Sequence, residues 1–434
     1  MASLRRPLVL VNARLIDPAS GRDETGGLLA IDGRIVEIGP WVNGEGLPDE
    51  AEVVQCEGHC LAPGLVDMRV QLREPGEEHM ETIASGAGAA AAGGVTSMVC
   101  LPNTDPIIDD VAAVEFIARR ARETRLAKVY CYAAVTQRLE GRDLVEMGLL
   151  AESGALAFTD GLKAVADAQV MRRALSYVRA FNRLIIQHPE EPRLSEGGMM
   201  NSGELATRLG LSGIPGAAEV MMIERDLHLV AMTGASYHAA HLSTAAAVEV
   251  IRGAKARGLP VTCDTQPAYF ALNESAVGDY RTFAKLSPPL RSEADRQAIA
   301  AAVADGTIDC VASDHAPHDQ ESKRVPFAHA APGIIGLETL LPLTLQLYHK
   351  GQGRLIDLLR RVTSAPADLL GLPQGRLAKG APADLLLFDL DRPGRIEVDR
   401  SRSKSKNSPF DGDPIQGRVL RSVVDGRTVF AAAD

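Results

Sequence analysis

Apolar and polar positions alternate in short runs at both ends of the chain, and apolar strands and helical blocks take turns between them. Near the N-terminus, LVLVNARLID reads as a strand and is followed by a turn at Pro18-Ala19-Ser20-Gly21. LLAIDGRIVEIG holds two apolar runs split by Asp32-Gly33. Asp-Gly tolerates the positive φ that a two-residue turn needs, so this pair predicts a hairpin. The other end has the same style. GRLAKGAPADLLLFDLD and GRVLRSVVDGRTVF read as short strands with turn residues, including Asp425-Gly426. Two β-rich ends around a different middle predict one small β domain drawn from both termini.

The middle alternates. GVTSMVCLP, AKVYCYAAV, ALAFTD, RLIIQHPEE, SYHAAHLST, LPVTCDTQP and TIDCVASDHAPH read as strands. Between them lie helical stretches such as DDVAAVEFIARRARE, DAQVMRRALSYVRAF, AAEVMMIERDLHLVAMTG and AAAVEVIRGAKARG. A βαβα rhythm predicts a parallel sheet in an α/β fold. The strand count approaches eight, which favours a TIM-type (β/α)8 barrel over an open sheet. The expected division is a barrel over 61–374 and the small β domain over 1–60 and 375–434.

Polar residues gather where the apolar strands end: Arg69 to Glu74, Pro102-Asn103-Thr104, Thr159-Asp160, His188, His241 and Asp314 to His318. In a barrel those ends share one face, where catalytic groups sit. Several ends carrying His or Asp point to a metal-hydrolase type of site.

Composition narrows the classes. The 434 residues carry 46 Lys and Arg against 56 Asp and Glu, a formal net charge of −10, and only 4% are aromatic. This balance argues against a nucleic-acid binder and against a stacking platform for single strands. The Ser/Lys-rich stretch SRSKSKNSPFDG is accordingly read as a solvated loop. No apolar run is long enough to cross a bilayer. Asn12, Arg14 and Asp17 interrupt the first apolar run and no small-residue cleavage site follows, so no signal peptide is expected. The six cysteines show no CxxC spacing and read as buried thiols. The expectation is a cytoplasmic protein.

PGLVDMRVQLREPG, LPNT, IIQHPEEPRLSEGGMMNSG, YHAAHLSTAAAVEVIRGAKARGLPVT, PPLR and SDHAPH, in this order, together with KSKNSPFDG, span nearly the whole chain. This set resembles dihydroorotase of the class I type, a cyclic amidohydrolase of pyrimidine synthesis within the amidohydrolase superfamily. The resemblance implies a metal-bearing barrel with a small β-sandwich from both ends. It implies two zinc ions in active members, which activate water and polarise the ring amide carbonyl. One is bound by an HxH pair after the first strand and by the Asp of DHAPH, which also shuttles the proton. The other is bound by two further histidines, and a carboxylate or carbamylated Lys bridges the pair. On this chain the resemblance makes Asp314 the ligand and shuttle, and His188 and His241 two ligands of one metal. It places Arg73, Asn103 and His318 at the substrate carboxylate and ring.

The chain departs from that pattern at decisive positions. Arg69 and Gln71 stand where the family has HxH. A guanidinium stays protonated and has no lone pair to give, so Arg69 cannot be a ligand. The bridging region, usually two adjacent Asp, reads Thr159-Asp160-Gly161; the PHH pair reads Pro267-Ala268-Tyr269; and Ser287 precedes PPLR in place of Asn. Catalytic zinc normally takes three protein ligands and keeps an open position. Two imidazoles fall short of that, and Asp160, Asp314 and Cys263 are the candidates for a third ligand. At most one zinc ion is expected. Removing metal cations leaves Asp314 without a counter-charge, so Arg69 is expected to pair with Asp314 and replace part of the lost charge.

Structural roles are open to the same residues. Arg73 can pair with Glu74 or another carboxylate, Asn103 can cap the following turn, and His315 and His238 read as structural. His59 and His79 read as surface residues. The favoured reading is a catalytically silent dihydroorotase-like protein that acts as a structural partner of aspartate transcarbamoylase, the partner following from the resemblance alone, with a homo-oligomer left open. The alternative is an active dihydroorotase that interconverts N-carbamoyl-L-aspartate and L-dihydroorotate with one metal at His188 and His241. A hydantoinase or allantoinase type also needs HxH and is the least favoured.

Overall fold

The computed structural model describes residues 6–46, 48 and 50–433. Residues 1–5, part of the segment read above as lacking a signal peptide, lie outside them. The N-terminal strands are β1 (Leu8–Asp17), β2 (Arg22–Ile31), β3 (Arg34–Gly39), β4 (Glu52–Gln55) and β5 (Cys60–Pro63). The middle holds β6 (Leu65–Val70), β7 (Val95–Cys100), β8 (Lys128–Cys131), β9 (Ile185–Gln187), β10 (Met200–Asn201), β11 (Gly213–Ile214), β12 (Tyr237–Ala239), β13 (Val261–Thr265) and β14 (Cys310–Val311). The last three are β15 (Leu385–Arg395), β16 (Pro414–Val424) and β17 (Arg427–Ala431).

Both chain ends meet in one eight-stranded sheet. Its order is β17-β16-β15-β5-β1-β2-β3, with β4 beside β1. The antiparallel β15–β5 pair joins the two ends. Leu8, Leu10, Leu28, Ile35, Leu61 and Leu385 bury one side of it. The Asp-Gly turns form as their sequence predicts: φ is 49° and 79° at Asp32-Gly33, and 47° and 70° at Asp425-Gly426. Positive φ at both central residues is what lets a two-residue turn follow the strand twist.

The middle strands pair in parallel as β6-β7-β8 and as β9-β12-β13-β14. Parallel bridges Ala133↔Phe158 and Phe158↔Ile185 join β8 to β9, and Val70↔His315 joins β6 to the residues after β14. The pairing therefore returns to its start. ALAFTD contributes only the bridges of Phe158. Side-chain caps set the helix starts: Asp110 for Val111–Thr124, Asp167 for Ala168–Val178 and Thr244 for Ala245–Ala256. The pattern assigned nothing to 320–374, where helices Leu340–His349 and Leu355–Val362 form. Leu340–His349 is buried over most of its length, so it lacks the polar face that marks a surface helix in sequence.

The Ser/Lys-rich stretch is a correction. Ser403, Ser405, Asn407 and Ser408 are buried. The segment leaves the terminal sheet and seals against the strand circuit. Asn407 Nδ2 donates to the carbonyls of Ala316 and Gly333 at 2.9 and 3.0 Å, and its Oδ1 accepts from His318 N at 3.0 Å. Glu81, fully buried, accepts from Ser403 Oγ, Ser85 Oγ and Lys404 N, and its Oε2 lies 3.3 Å from His315 Nε2. Polar side chains are buried here because each finds a partner, which composition cannot reveal.

Glu81→Ala leaves these donors facing a void. It is expected to cost about 3 kcal/mol of stability and to open Lys404 and Lys406 to trypsin before the rest of the chain. Urea unfolding and timed proteolysis measure both; Glu81→Gln, which keeps an acceptor, is expected to lose less.

Candidate active site

On β6 and just past it, Asp67, Arg69 and Gln71 recur every second residue and are all buried, the two-residue period that puts side chains on one strand face. At the end of β13 the same spacing joins Asp264 to Gln266, the residue just past the strand. Asp314 lies three residues past the end of β14. These side chains meet where the parallel strands end. Asp314 and two other candidates at the strand ends, Arg73 and His241, have φ of 48°, 59° and 47°. Such left-handed backbone is strained for residues with a Cβ and tends to gather at functional sites.

Arg69 is the centre of the contacts. Its Nε donates to Asp314 Oδ1 at 3.1 Å, and its Nη2 to the carbonyl of Gly161 at 3.0 Å. The pairing expected from the sequence is present, with both side chains almost wholly buried. Gly161 offers a main-chain carbonyl to this cation. Gln266 Nε2 reaches Asp314 Oδ2 at 3.3 Å. Burial pushes the Asp314 carboxyl up to about 7, against the pull of Arg69, with Asp264 and Asp67 adding to the rise. Asp67 is pushed up to about 6 by burial, although its Oδ1 accepts from Arg69 N and Ser313 N.

His188 and His241 stand edge to face, ring centroids 5.9 Å apart. His241 Nε2 is 3.8 Å from Asp314 Oδ2, too long for a hydrogen bond. Burial and then the Arg69 charge hold both imidazoles neutral, His188 at about 3 and His241 well below its ordinary value. His188 Nδ1, both ring nitrogens of His241, Arg69 Nη1 and Gln266 Oε1 are buried without a hydrogen-bond partner.

The other candidates for a third metal ligand are spent elsewhere. Asp160 accepts from the main-chain N–H groups of Val135 and Thr136 and from the Thr136 hydroxyl. Cys263 Sγ faces the carbonyl of Thr307 at 3.5 Å, and burial pushes its thiol far up. Among the described residues no three His, Cys, Asp or Glu side chains are grouped to hold a metal ion. Two neutral imidazoles plus a carboxylate already paired with a guanidinium do not fit a catalytic zinc site.

The remaining candidates sit around this centre. Arg73 donates to the Pro317 carbonyl at 3.1 Å and to Glu77 at 2.9 Å, and its Nη2 lies 3.3 Å from His318 Nε2. Glu74 is not its partner; it pairs with Arg120 at 2.7 Å. Asn103 Nδ2 donates to Gln71 Oε1 at 3.1 Å, so two of the family's motif positions satisfy each other. His238 is held by Thr262 Oγ1 at 2.8 Å and His315 by Glu81. Sequence reading missed Asp67, Asp264, Gln266 and Glu81. For the first three the available signal was strand alternation: each lies two residues from a polar neighbour on an otherwise apolar strand.

A dihydro-orotase-like family model matches residues 58–247. A dihydroorotase of Anaplasma phagocytophilum (strain HZ) is 47% identical over 426 residues, covering 97% of this chain and 95% of the relative. The chain belongs to the dihydroorotase family. A dihydroorotase of Pelobacter propionicus is 46% identical over 98% of this chain and 99% of its own. Among solved structures, the L-hydantoinase (dihydropyrimidinase) of Arthrobacter aurescens superposes with a TM-score of 0.87 at 24% identity, covering 98% of this chain and 96% of the other. That likeness establishes a shared fold.

Arg69→Met removes the counter-charge and leaves Asp314 buried. Because Asp314 takes up its proton near pH 7, the substitution is expected to cost up to about 2 kcal/mol more at pH 8.5 than at pH 5, since only above its pKa is the native carboxylate ionised and reliant on the pair. The double variant Arg69→Met/Asp314→Asn is expected to flatten that pH dependence. Urea unfolding at the two pH values measures both.

Proposed function

We propose that this chain is a dihydroorotase-family protein of pyrimidine biosynthesis that does not catalyse the ring reaction and works in the cytoplasm as a structural partner of aspartate transcarbamoylase. The reading takes the closed strand circuit as the family's TIM-type (β/α)8 barrel, over about 61–374, and the eight-stranded sheet as its small β-sandwich domain from both ends. The observation that carries the silent reading is the guanidinium of Arg69 lying on Asp314. Metal-dependent hydrolysis needs a cation that binds water and lowers its pKa. A guanidinium supplies charge but no open coordination position. The partner follows from the family resemblance.

A second reading, an active dihydroorotase with one zinc ion at His188 and His241, draws support from their unpartnered ring nitrogens. Both imidazoles are neutral and so keep a lone pair for a metal. Against it stand the missing third ligand and the fixed cation beside them.

One experiment separates the two. The purified chain, supplied with zinc, is assayed for interconversion of N-carbamoyl-L-aspartate and L-dihydroorotate in both directions. No turnover is expected, and Arg69→His/Gln71→His is also expected to give none, because Gly161 supplies no bridging carboxylate. Turnover abolished by a chelator would overturn the silent reading in favour of the second. The partner is tested by sedimentation of this chain with aspartate transcarbamoylase from the same cells: a joint complex supports the scaffold role, and independent sedimentation at micromolar concentrations contradicts it.

A further inference from the structure

We propose a second binding site, independent of the Arg69 centre, for a small organic anion with a phosphate or carboxylate head and an apolar body. It is a cleft of about 420 Å³ between the strand circuit and the C-terminal sheet, a size typical of small-molecule sites. Four arginines line it: Arg395, Arg400, Arg402 and Arg418. Two carboxylates join them, Glu338 and Glu397, so the formal balance is 4 − 2 = +2 in a chain whose net charge is −10.

The acids are already committed. Glu338 Oε1 accepts from Ser401 Oγ and Arg402 N, both at 2.6 Å, and Glu397 pairs with Arg400 at 2.8 Å. The arginines are not saturated. Arg395 donates one bond, to the Gly412 carbonyl, and Arg418 one, to the Ala433 carbonyl. The Arg402 guanidinium lies over the Phe430 ring, 5.2 Å from its centroid, and its side chain makes no hydrogen bond to a described residue.

A guanidinium stacked on a ring keeps its edge free, and that edge matches a phosphate or carboxylate in a two-bond fork. The stack also holds the side chain in place before a ligand arrives, which lowers the ordering cost of binding. Ile415 and Phe430 supply apolar surface beside the charged groups. Charge with a matching fork selects the anionic head; the apolar wall selects the body. The cleft also touches His315, the residue after Asp314, so it backs onto the strand end that bears the Arg69 pair without sharing that pair.

The test is titration of the full chain with phenyl phosphate, with inorganic phosphate and phenol as separate titrants, followed by calorimetry. Saturable one-to-one binding of phenyl phosphate is expected, tighter than that of inorganic phosphate or phenol. Arg402→Gln/Arg418→Gln is expected to weaken it at least about tenfold, as the loss of charge-assisted bonds implies. Arg402→Lys, which keeps the charge but not the fork, is expected to fall between and serves as the second variant should the double one fold poorly. Absence of saturable binding, or binding unchanged in the arginine variants, would overturn the site. Equal affinity for phenyl phosphate and inorganic phosphate would overturn the apolar half of the assignment.

Discussion

One buried cation governs the centre of this protein. Asp67, Asp264 and Asp314 lie close enough that the first two raise the carboxyl of the third, and the strand ends give them no water. Arg69 is the cation that meets them, reaching Asp314 with Nε and Gly161 with Nη2. Two dications would carry four charges into such a place; one guanidinium carries one. Burial outweighs that charge and the hydrogen bonds: it raises Asp314 to about 7 and Asp67 to about 6. Burial and then the Arg69 charge keep the neighbouring imidazoles neutral. The strained backbone at Arg73, His241 and Asp314 persists around this centre. On the silent reading proposed above, Arg69 supplies at Asp314 the positive charge that a metal ion would supply there.

The same centre is fixed from outside by the C-terminal segment. Glu81 and Asn407 bind that segment to the loop carrying His315 and His318. The eight-stranded sheet draws from both chain ends, and the stretch between β15 and β16 leaves it to seal the mouth of the strand circuit. The proposed anion cleft lies along this seam, so its ligand would sit between the two parts.

Much of this was legible in the sequence. The Asp-Gly hairpins declare themselves because few residue pairs accept two positive φ values. The helical stretches were read from the pattern, and the structure places the capping side chains of Asp110, Asp167 and Thr244 at three of their starts. Arg69 was identified because a guanidinium cannot ligate a metal, and its partner followed from charge. What escaped was register. Asp67, Asp264 and Gln266 sit beside apolar or unremarked neighbours, and only the alternation of strand faces, fixed once strands pair, turns them inward. Glu81 was missed and the SRSKSKNSPFDG stretch misread as solvated because composition reports polarity and not whether each polar atom finds a partner.

The most direct test of the Arg69 account is a crystal structure grown with excess zinc and measured on both sides of the zinc absorption edge. The account predicts Arg69 Nε within hydrogen-bond distance of Asp314 and no anomalous peak between His188 and His241. A zinc ion bound there, with Arg69 turned away from Asp314, would contradict it.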